Sequence, residues 1–351
     1  MKIVIAPDSF KECLPARQVA SVLASAFREF CPGCEVVEMP LADGGEGTAE
    51  ILTAALGGRM CTTTVTGPLG EPVEARFGVA GELGLMEVAS ACGLTLVPPE
   101  RRDPLSATTA GVGELILAAL EEGCRHIVVG LGGSATCDGG EGMLSVPGLR
   151  SAASGVRFTV LCDVDTPFLG RMGAARVFGP QKGASPSDVE VLEQRMVSTA
   201  ERFWADTGVD VRSMPGAGAA GGLGGAFAAC LGAELVPGVE EVLRLTGFDQ
   251  AVAGAGWIVT GEGRSDRQTL AGKVPCGVLQ HASSAPGQGG TVGIPVALLS
   301  GCIEDTEALS RAGFRHLVQV SPPDLPLAEA LRPSVAAANL RLAVSRLLKA
   351  Q

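Results

Sequence analysis

The chain is short of the residues that mark metal centres and nucleic-acid partners. It has only three histidines, at 126, 281 and 316, too scattered for a zinc-type cluster. Lys and Arg number 27 against 38 Asp and Glu, for a net charge of −11. That leaves no basic stripe to release counterions, which argues against nucleic acid. No charged leader or cleavage site precedes the strand-like Met1-Lys-Ile-Val-Ile-Ala6, and no internal repeat is visible. The charge-free stretch Ser213–Ala233 is long enough for a bilayer, but it opens Ser-Met-Pro-Gly and is glycine-rich. It does not read as a membrane span. The expected compartment is the cytoplasm. Eleven cysteines, an odd number, follow no secreted spacing and read as reduced thiols serving as small apolar residues. Cys31-Pro-Gly-Cys34 has the C-x-x-C form, yet it follows a helix and precedes an acidic strand, so it reads as a turn.

Glycine is what the chain has in excess: 49 of 351 residues, about twice the usual ~7 %. With apolar strands and helices alternating, this implies close backbone packing and ligand loops rather than disorder. A length of 351 residues suits two domains. Strands are expected at Lys2–Ala6, Glu35–Met39, Leu83–Val88, His126–Gly130, Val156–Cys162, Trp257–Thr260, Ile294–Ser300 and His316–Val320. Thr62–Thr66 and Val73–Val79 flank Gly67-Pro-Leu-Gly70 as a hairpin. Helices are expected over Ala16–Phe30, Gly47–Leu56, Thr108–Glu122, Ser187–Thr207, Leu270–Ala282, Glu304–Ala312 and Leu327–Lys349, the last broken at Pro333. Ser283–Thr291 reads as a surface loop.

This pattern is α/β: a doubly wound, mainly parallel, Rossmann-like sheet with a second inserted α/β domain and the active site in the cleft between them. The boundaries read from sequence give residues 1–60, 90–140 and 256–351 to the first domain. Residues 61–89 and 141–255, with a glycine-rich phosphate loop, form the second.

Polar, glycine-rich loops follow four strands. They are Pro7-Asp-Ser-Phe-Lys11, Leu41-Ala-Asp43-Gly-Gly-Glu46-Gly-Thr48, Gly132-Gly-Ser134-Ala-Thr136-Cys-Asp138-Gly-Gly140, and Gly261-Glu262-Gly-Arg264-Ser-Asp266-Arg-Gln268-Thr269. Glycine admits close approach, hydroxyls and amides cradle oxyanions, and carboxylates hold a cation or take a proton. The densest run, Pro215-Gly-Ala-Gly-Ala-Ala-Gly-Gly-Leu-Gly-Gly225, precedes an alanine-rich helix and reads as an anion seat suited to phosphate. Its literal G-x-G-x-x-G pattern lacks a preceding βαβ unit, so a nicotinamide site is a poor fit.

These segments carry a resemblance. Ala6-Pro-Asp-Ser-Phe-Lys11, Ala42-Asp-Gly-Gly-Glu-Gly-Thr48, Thr66-Gly-Pro-Leu-Gly70 and Gly132-Gly-Ser-Ala-Thr136 resemble those of type I glycerate kinases. So do Gly179-Pro-Gln-Lys-Gly-Ala184, Pro215 to Gly222, and Thr260-Gly-Glu-Gly-Arg264 with Asp266, Gln268, Thr269, Gly272 and Lys273. The similarity runs collinearly from Met1 to about Val320. It implies ATP-dependent phosphorylation of D-glycerate to 2-phosphoglycerate with Mg²⁺, on a two-domain α/β fold. Two departures stand out: Cys137 replaces the usual asparagine, and the segment Leu144–Leu161 is shorter than the family's.

On this reading Lys11, Asp43, Arg264 and Asp266 are the catalytic candidates, with Asp43 and Asp266 also the metal ligands or the base. Arg264 offers a bidentate grip on carboxylate or phosphate, or else an internal ion pair with Glu262 or Asp266. Lys182 and Gly216, Gly218, Gly221, Gly222 and Gly224 are candidates for the nucleotide phosphates. Asp8, Ser9, Gly132, Gly133, Ser134, Asp138, Glu262 and Gln268 are candidates for the substrate. The partners implied are ATP and D-glycerate, with no nucleic acid and no membrane; oligomeric state is not readable. A glycerate- or nucleotide-binding sensor with impaired catalysis is the alternative.

Overall fold

A computed structural model describes residues 1–290 and 293–349; within the expected loop Ser283–Thr291, Thr291 lies outside the described residues. The chain divides into two compact units, one of residues 1–43 and 239–351, the other of residues 44–238.

The first unit is built on a five-stranded, all-parallel sheet in the order His316–Gln319, Val296–Ser300, Trp257–Thr260, Lys2–Ile5, Glu35–Glu38. Its three central strands, Lys2–Ile5, Trp257–Thr260 and Val296–Ser300, are largely apolar and buried because both faces are covered. On one face Ile3, Ile5, Val259, Ala297 and Leu299 share a core with Val19, Leu23 and Phe27 of helix Ala16–Phe30 and with Leu340 and Val344 of helix Pro333–Lys349. The opposite-facing Val4, Ile258 and Leu298 are equally buried. Pro333 stands at the start of a new helix after Leu327–Ala330, the break its missing N–H requires. Strand order turns back at Lys2–Ile5, whose neighbours in the sheet come from the two ends of the sequence. Such a switch point opens a crevice beyond the carboxyl ends of the strands.

The second unit carries a six-stranded mixed sheet in the order Arg59–Thr66, Pro72–Ala80, Leu83–Glu87, His126–Gly130, Arg157–Leu161, Glu234–Val236. The first two strands form the hairpin expected around Gly67–Gly70, and Leu83–Glu87 pairs parallel with His126–Gly130. Its own core joins Phe77, Met86, Leu115, Ile127, Phe158, Phe168, Phe203 and Phe227. The long helix Pro186–Thr207 begins at a capping box in which the Ser185 hydroxyl accepts from the Asp188 amide. The short Leu144–Leu161 segment suffices: two one-turn helices, Glu141–Ser145 and Leu149–Ala152, return the chain so that His126–Gly130 and Arg157–Leu161 pair in full register.

The domain boundaries differ from those read from sequence. Residues 44–60 and 90–140 belong to the second unit and 239–255 to the first. The cause is long-range pairing: strand His126–Gly130 continues the hairpin sheet, not the N-terminal one. Among the described residues no helix is long and apolar enough to cross a membrane. Cys31 and Cys34 are joined by a disulfide while nine cysteines stay free, so the expectation of uniformly reduced thiols fails at this turn.

Candidate active site

In the first unit three strand ends bring their loops together. The Ala6 amide donates to Val259 O (2.7 Å), Asp8 N to Gly261 O (2.8 Å), Met39 N to Ile5 O (2.8 Å) and Leu41 N to Pro7 O (2.9 Å). The parallel pairing thus runs on past the strands and sets Asp8, Asp43 and Glu262 in one neighbourhood, with Lys11 beside them. Asp8 is buried, and its Oδ1 accepts from the Ser9 amide at 2.6 Å. Burial, reinforced by the charge of Asp43, pushes the Asp8 carboxyl up to about 7; Glu262 adds to the rise, while the Ser9 hydrogen bond and Lys11 oppose it. A nearby negative charge disfavours ionisation of a buried carboxyl.

Glu262 is a buried anchor. Its Oε1 accepts from the hydroxyls of Thr269 (2.7 Å) and Ser265 (3.0 Å), and its Oε2 meets Lys273 Nζ at 3.2 Å. Asp266 caps the turn Arg267–Leu270, accepting from the Gln268 amide at 2.7 Å. Gln268 itself is exposed. Arg264 is exposed and pairs with Glu304 at 2.7 Å, with Asp266 3.7 Å away. Of the two expected internal partners Asp266 is within ion-pair distance, and the shorter contact goes to Glu304, from the loop after Cys302–Ile303.

Asp43 and Asp266, the candidate metal ligands or base, sit in different loops with different partners. Among the described residues no group of three or more His, Cys, Asp or Glu side chains could hold a metal ion. The charge of Asp43 acts on the Asp8 carboxyl, whereas Asp266 accepts from Gln268 N and lies 3.7 Å from Arg264.

In the second unit the Gly132–Gly140 loop is pinned from several sides. Leu94 N donates to Gly133 O and Ala135 N to Cys92 O, both at 2.8 Å. Gly132 and Gly133 remain exposed while Ser134 and Thr136 are buried. Behind them Lys182, 3 % exposed, donates from Nζ to Ser134 Oγ (2.8 Å) and to the Thr136 carbonyl (2.7 Å). Burial lowers the Lys182 pKa, against the pull of Cys137, Cys92 and Asp138. The sequence pairs Lys182 with the Gly216 loop; in the structure its hydrogen bonds go to the Ser134 loop.

Asp138, expected at the substrate, is a strut. Its Oδ2 accepts from the Thr109 amide (2.9 Å), the Thr109 hydroxyl (2.8 Å) and Gly142 N (3.1 Å), and its Oδ1 from Gly140 N (3.0 Å). Burial pushes this carboxyl up, and those hydrogen bonds oppose the rise. Cys137 is 1 % exposed within the apolar core, a position where a thiol acts as a small hydrophobe.

The glycine run is a second correction. Gly216, Gly218, Gly221, Gly222 and Gly224 are all buried. The amides of Ala217, Gly218, Ala219, Gly222 and Gly225 donate to carbonyls of Met214, Thr166, Gly216, Gly218 and Ala217. A Cβ on Gly218 would stand 2.2 Å from Pro167 O, and one on Gly221 would stand 2.0 Å from Thr136 O. Gly221 O in turn accepts from Gly139 N at 3.0 Å. The run is therefore a buttress on which the Ser134 loop rests, and packing accounts for its glycines.

Sequence reasoning underrated Asp8, whose environment depends on burial and on Asp43. It also missed Glu87, which sits at the end of Leu83–Glu87 and accepts from the Ala49 amide at 2.8 Å, at the start of helix Thr48–Ala55. Burial pushes the Glu87 carboxyl up, and the Ala49 and Gly47 amides hold it down. The local signal for it was an acid at a strand terminus.

Comparison with known proteins identifies the family. The model of the glycerate kinase family matches residues 3–153 and 145–350. A Bacillus subtilis (strain 168) protein named glycerate kinase is 41 % identical over 361 residues, covering 94 % of this chain and 93 % of its own. The Escherichia coli (strain K12) glycerate 2-kinase is 44 % identical over 312 residues, covering 80 % and 82 %. A crystal structure from Salmonella typhimurium LT2, provisionally assigned as glycerate kinase 2, superposes with a TM-score of 0.86 at 39 % identity, covering 100 % of this chain and 98 % of that one. With a strand-end cluster of acids in one unit and a lysine-backed glycine loop in the other, and with matches along nearly its whole length, the chain belongs to the glycerate kinase family.

Proposed function

We propose that this enzyme phosphorylates D-glycerate at its 2-hydroxyl with ATP, giving 2-phosphoglycerate and ADP. The observation that carries the reading is the buried Asp8 carboxyl, fixed by the Ser9 amide and under the charges of Asp43 and Lys11, at the switch point of the parallel sheet. A base poised near neutrality suits removal of a hydroxyl proton as the phosphoryl group arrives. In this scheme Asp8 takes that proton, and Ser9 N holds the Asp8 oxygen in place. Lys11, exposed beside Asp8, binds the glycerate carboxylate or the phosphoryl oxygens, and Arg264 swings from Glu304 to the same task.

The nucleotide falls to the second unit. Exposed Gly132 and Gly133 let phosphate oxygens approach the backbone, and the Lys182 charge stands one hydroxyl behind them at Ser134. Mg²⁺ enters as part of the nucleotide substrate, neutralising phosphate charge. Positioning and charge neutralisation dominate such transfers.

The test is direct. Purified protein mixed with MgATP and D-glycerate releases ADP stoichiometrically with 2-phosphoglycerate, identified by mass and phosphorus NMR. Glycerate binding without ADP release would support a sensor instead, and 3-phosphoglycerate as sole product would overturn the proposed regiochemistry.

A further inference from the structure

The C-x-x-C pair lies at the far end of the first unit's edge strand. Helix Ala16–Phe30 ends at Cys31, whose amide donates to Phe27 O at 2.8 Å. The turn through Pro32 and Gly33 is closed by Cys34 N donating to Cys31 O at 2.9 Å, and Glu35 N then enters the sheet by donating to Met1 O at 2.9 Å. These backbone bonds place the two cysteines with their Cα atoms 5.5 Å apart, and their sulfurs are joined. Separations of this size are those a disulfide spans. Pro32 and Gly33 are exposed, and both cysteines are half-buried, so solutes reach the pair. Of the nine free cysteines, Cys61, Cys92, Cys124, Cys137 and Cys276 are buried.

We propose that Cys31 and Cys34 form a reversible dithiol–disulfide site on the protein surface, exchanging with small disulfides and dithiols of the glutathione and dithiothreitol class. Oxidation is written in two displacements. The thiolate of one cysteine attacks a disulfide RSSR, forming a mixed disulfide and releasing RS⁻. The second cysteine's thiolate attacks the protein sulfur of that mixed disulfide, closing the Cys31–Cys34 bond and releasing a second RS⁻. The two protons lost by the cysteines end on the two RSH products, so one RSSR is reduced as one protein disulfide forms. Reduction by a dithiol runs the same steps backwards.

Position in the fold gives the site its bias. Reactive C-x-x-C pairs gain thiolate character at a helix N-terminus, but this pair follows a helix C-terminus, where the dipole disfavours negative charge. Glu29 and Glu35 flank it in sequence, and the nearby cation Arg28 is paired with Glu38 at 2.9 Å. Its thiolates are therefore poorly stabilised, which favours the bonded form. The bond fastens the end of helix Ala16–Phe30 to the start of strand Glu35–Glu38, whose other end leads to Asp43. Its expected role is to stiffen that edge while leaving the chemical step untouched.

The test uses the intact protein equilibrated from fully reduced to fully oxidised glutathione, and separately with dithiothreitol. Each sample is alkylated with one tag, reduced, and alkylated with a second, and the tags are located by peptide mass. The proposal predicts that only Cys31 and Cys34 exchange tags, together and reversibly. Kinase turnover should be equal in the two forms within about twofold, and the oxidised form should melt higher. Cys31→Ser and Cys34→Ser, both at an exposed turn, should remain folded and lose the redox-dependent melting shift. Persistence of both residues as free thiols in oxidised glutathione would overturn the proposal. So would failure of dithiothreitol to open the bond in the folded protein, or a pair formed by other cysteines instead.

Discussion

The two units build their strand-end loops from different materials. In the first, the loops at the strand ends carry charge: Asp8 and Glu262 are buried, Asp43 acts on Asp8 through its charge, and Lys11 and Arg264 stand at the surface. In the second, the corresponding loop is glycine and hydroxyl at its exposed edge, with one buried lysine behind it. The difference teaches a division of labour. A carboxyl must be desolvated and crowded to become a base at neutral pH, whereas phosphate oxygens need open backbone and a fixed positive charge. The same contrast separates two glycine-rich segments within the second unit: Gly132–Gly133 is open, while Gly216–Gly225 is spent on packing.

Substitutions on either side should break the function in distinguishable ways. The largest effect is expected from Asp8→Asn, which should lower kcat by about 10²–10⁴ and leave the KM for ATP nearly unchanged in steady-state assays. Lys182→Met comes next: kcat/KM for ATP should fall by about 10²–10³, without moving the pH dependence of the chemical step. If Lys182→Met instead altered only the pH profile, the assignment of phosphate binding to the second unit would be wrong. Arg264→Ala should raise the KM for glycerate about tenfold, the worth of a charged hydrogen bond exchanged with Glu304. The smallest catalytic effect belongs to Gly221→Ala, where φ is +69° and the new Cβ meets Thr136 O at 2.0 Å. It should cost about 1–3 kcal/mol of stability, seen as a melting shift of several degrees. A selective rise in the KM for ATP with no loss of stability would return the glycine run to nucleotide binding.

Stability should also report on Asp8. The folded state raises this carboxyl from 3.8 to about 7, so between those pH values the native protein holds a proton the unfolded chain has lost. Its contribution to stability is fully present below about 4 and is lost as pH rises through about 7. In Asp8→Asn that decline should be absent, and at pH 8 the variant should melt above the parent.

Much of the fold was legible because local signals are local. Helix Ala16–Phe30 and strands His126–Gly130 and Trp257–Thr260 lie where the periodicity puts them. The break at Pro333 follows from a single residue. Domain boundaries did not follow, because βα alternation looks the same in both sheets and only pairing across tens of residues assigns Leu83–Glu87 and His126–Gly130 to one of them. The motifs identified the loops, but not which glycines face solvent and which are buried. Nor could sequence rank Asp8 over Asp266: both are acids in glycine-rich loops, and only the structure puts one under the charge of Asp43 and the other in a helical cap.

The most direct measurement is kcat against pH for the parent and for Asp8→Asn with MgATP and D-glycerate saturating. The account predicts a parent profile that rises with pH through about 7 and a residual Asp8→Asn activity that lacks this limb. A parent profile flat across that range, or an Asp8→Asn enzyme that keeps both the limb and the rate, would contradict it.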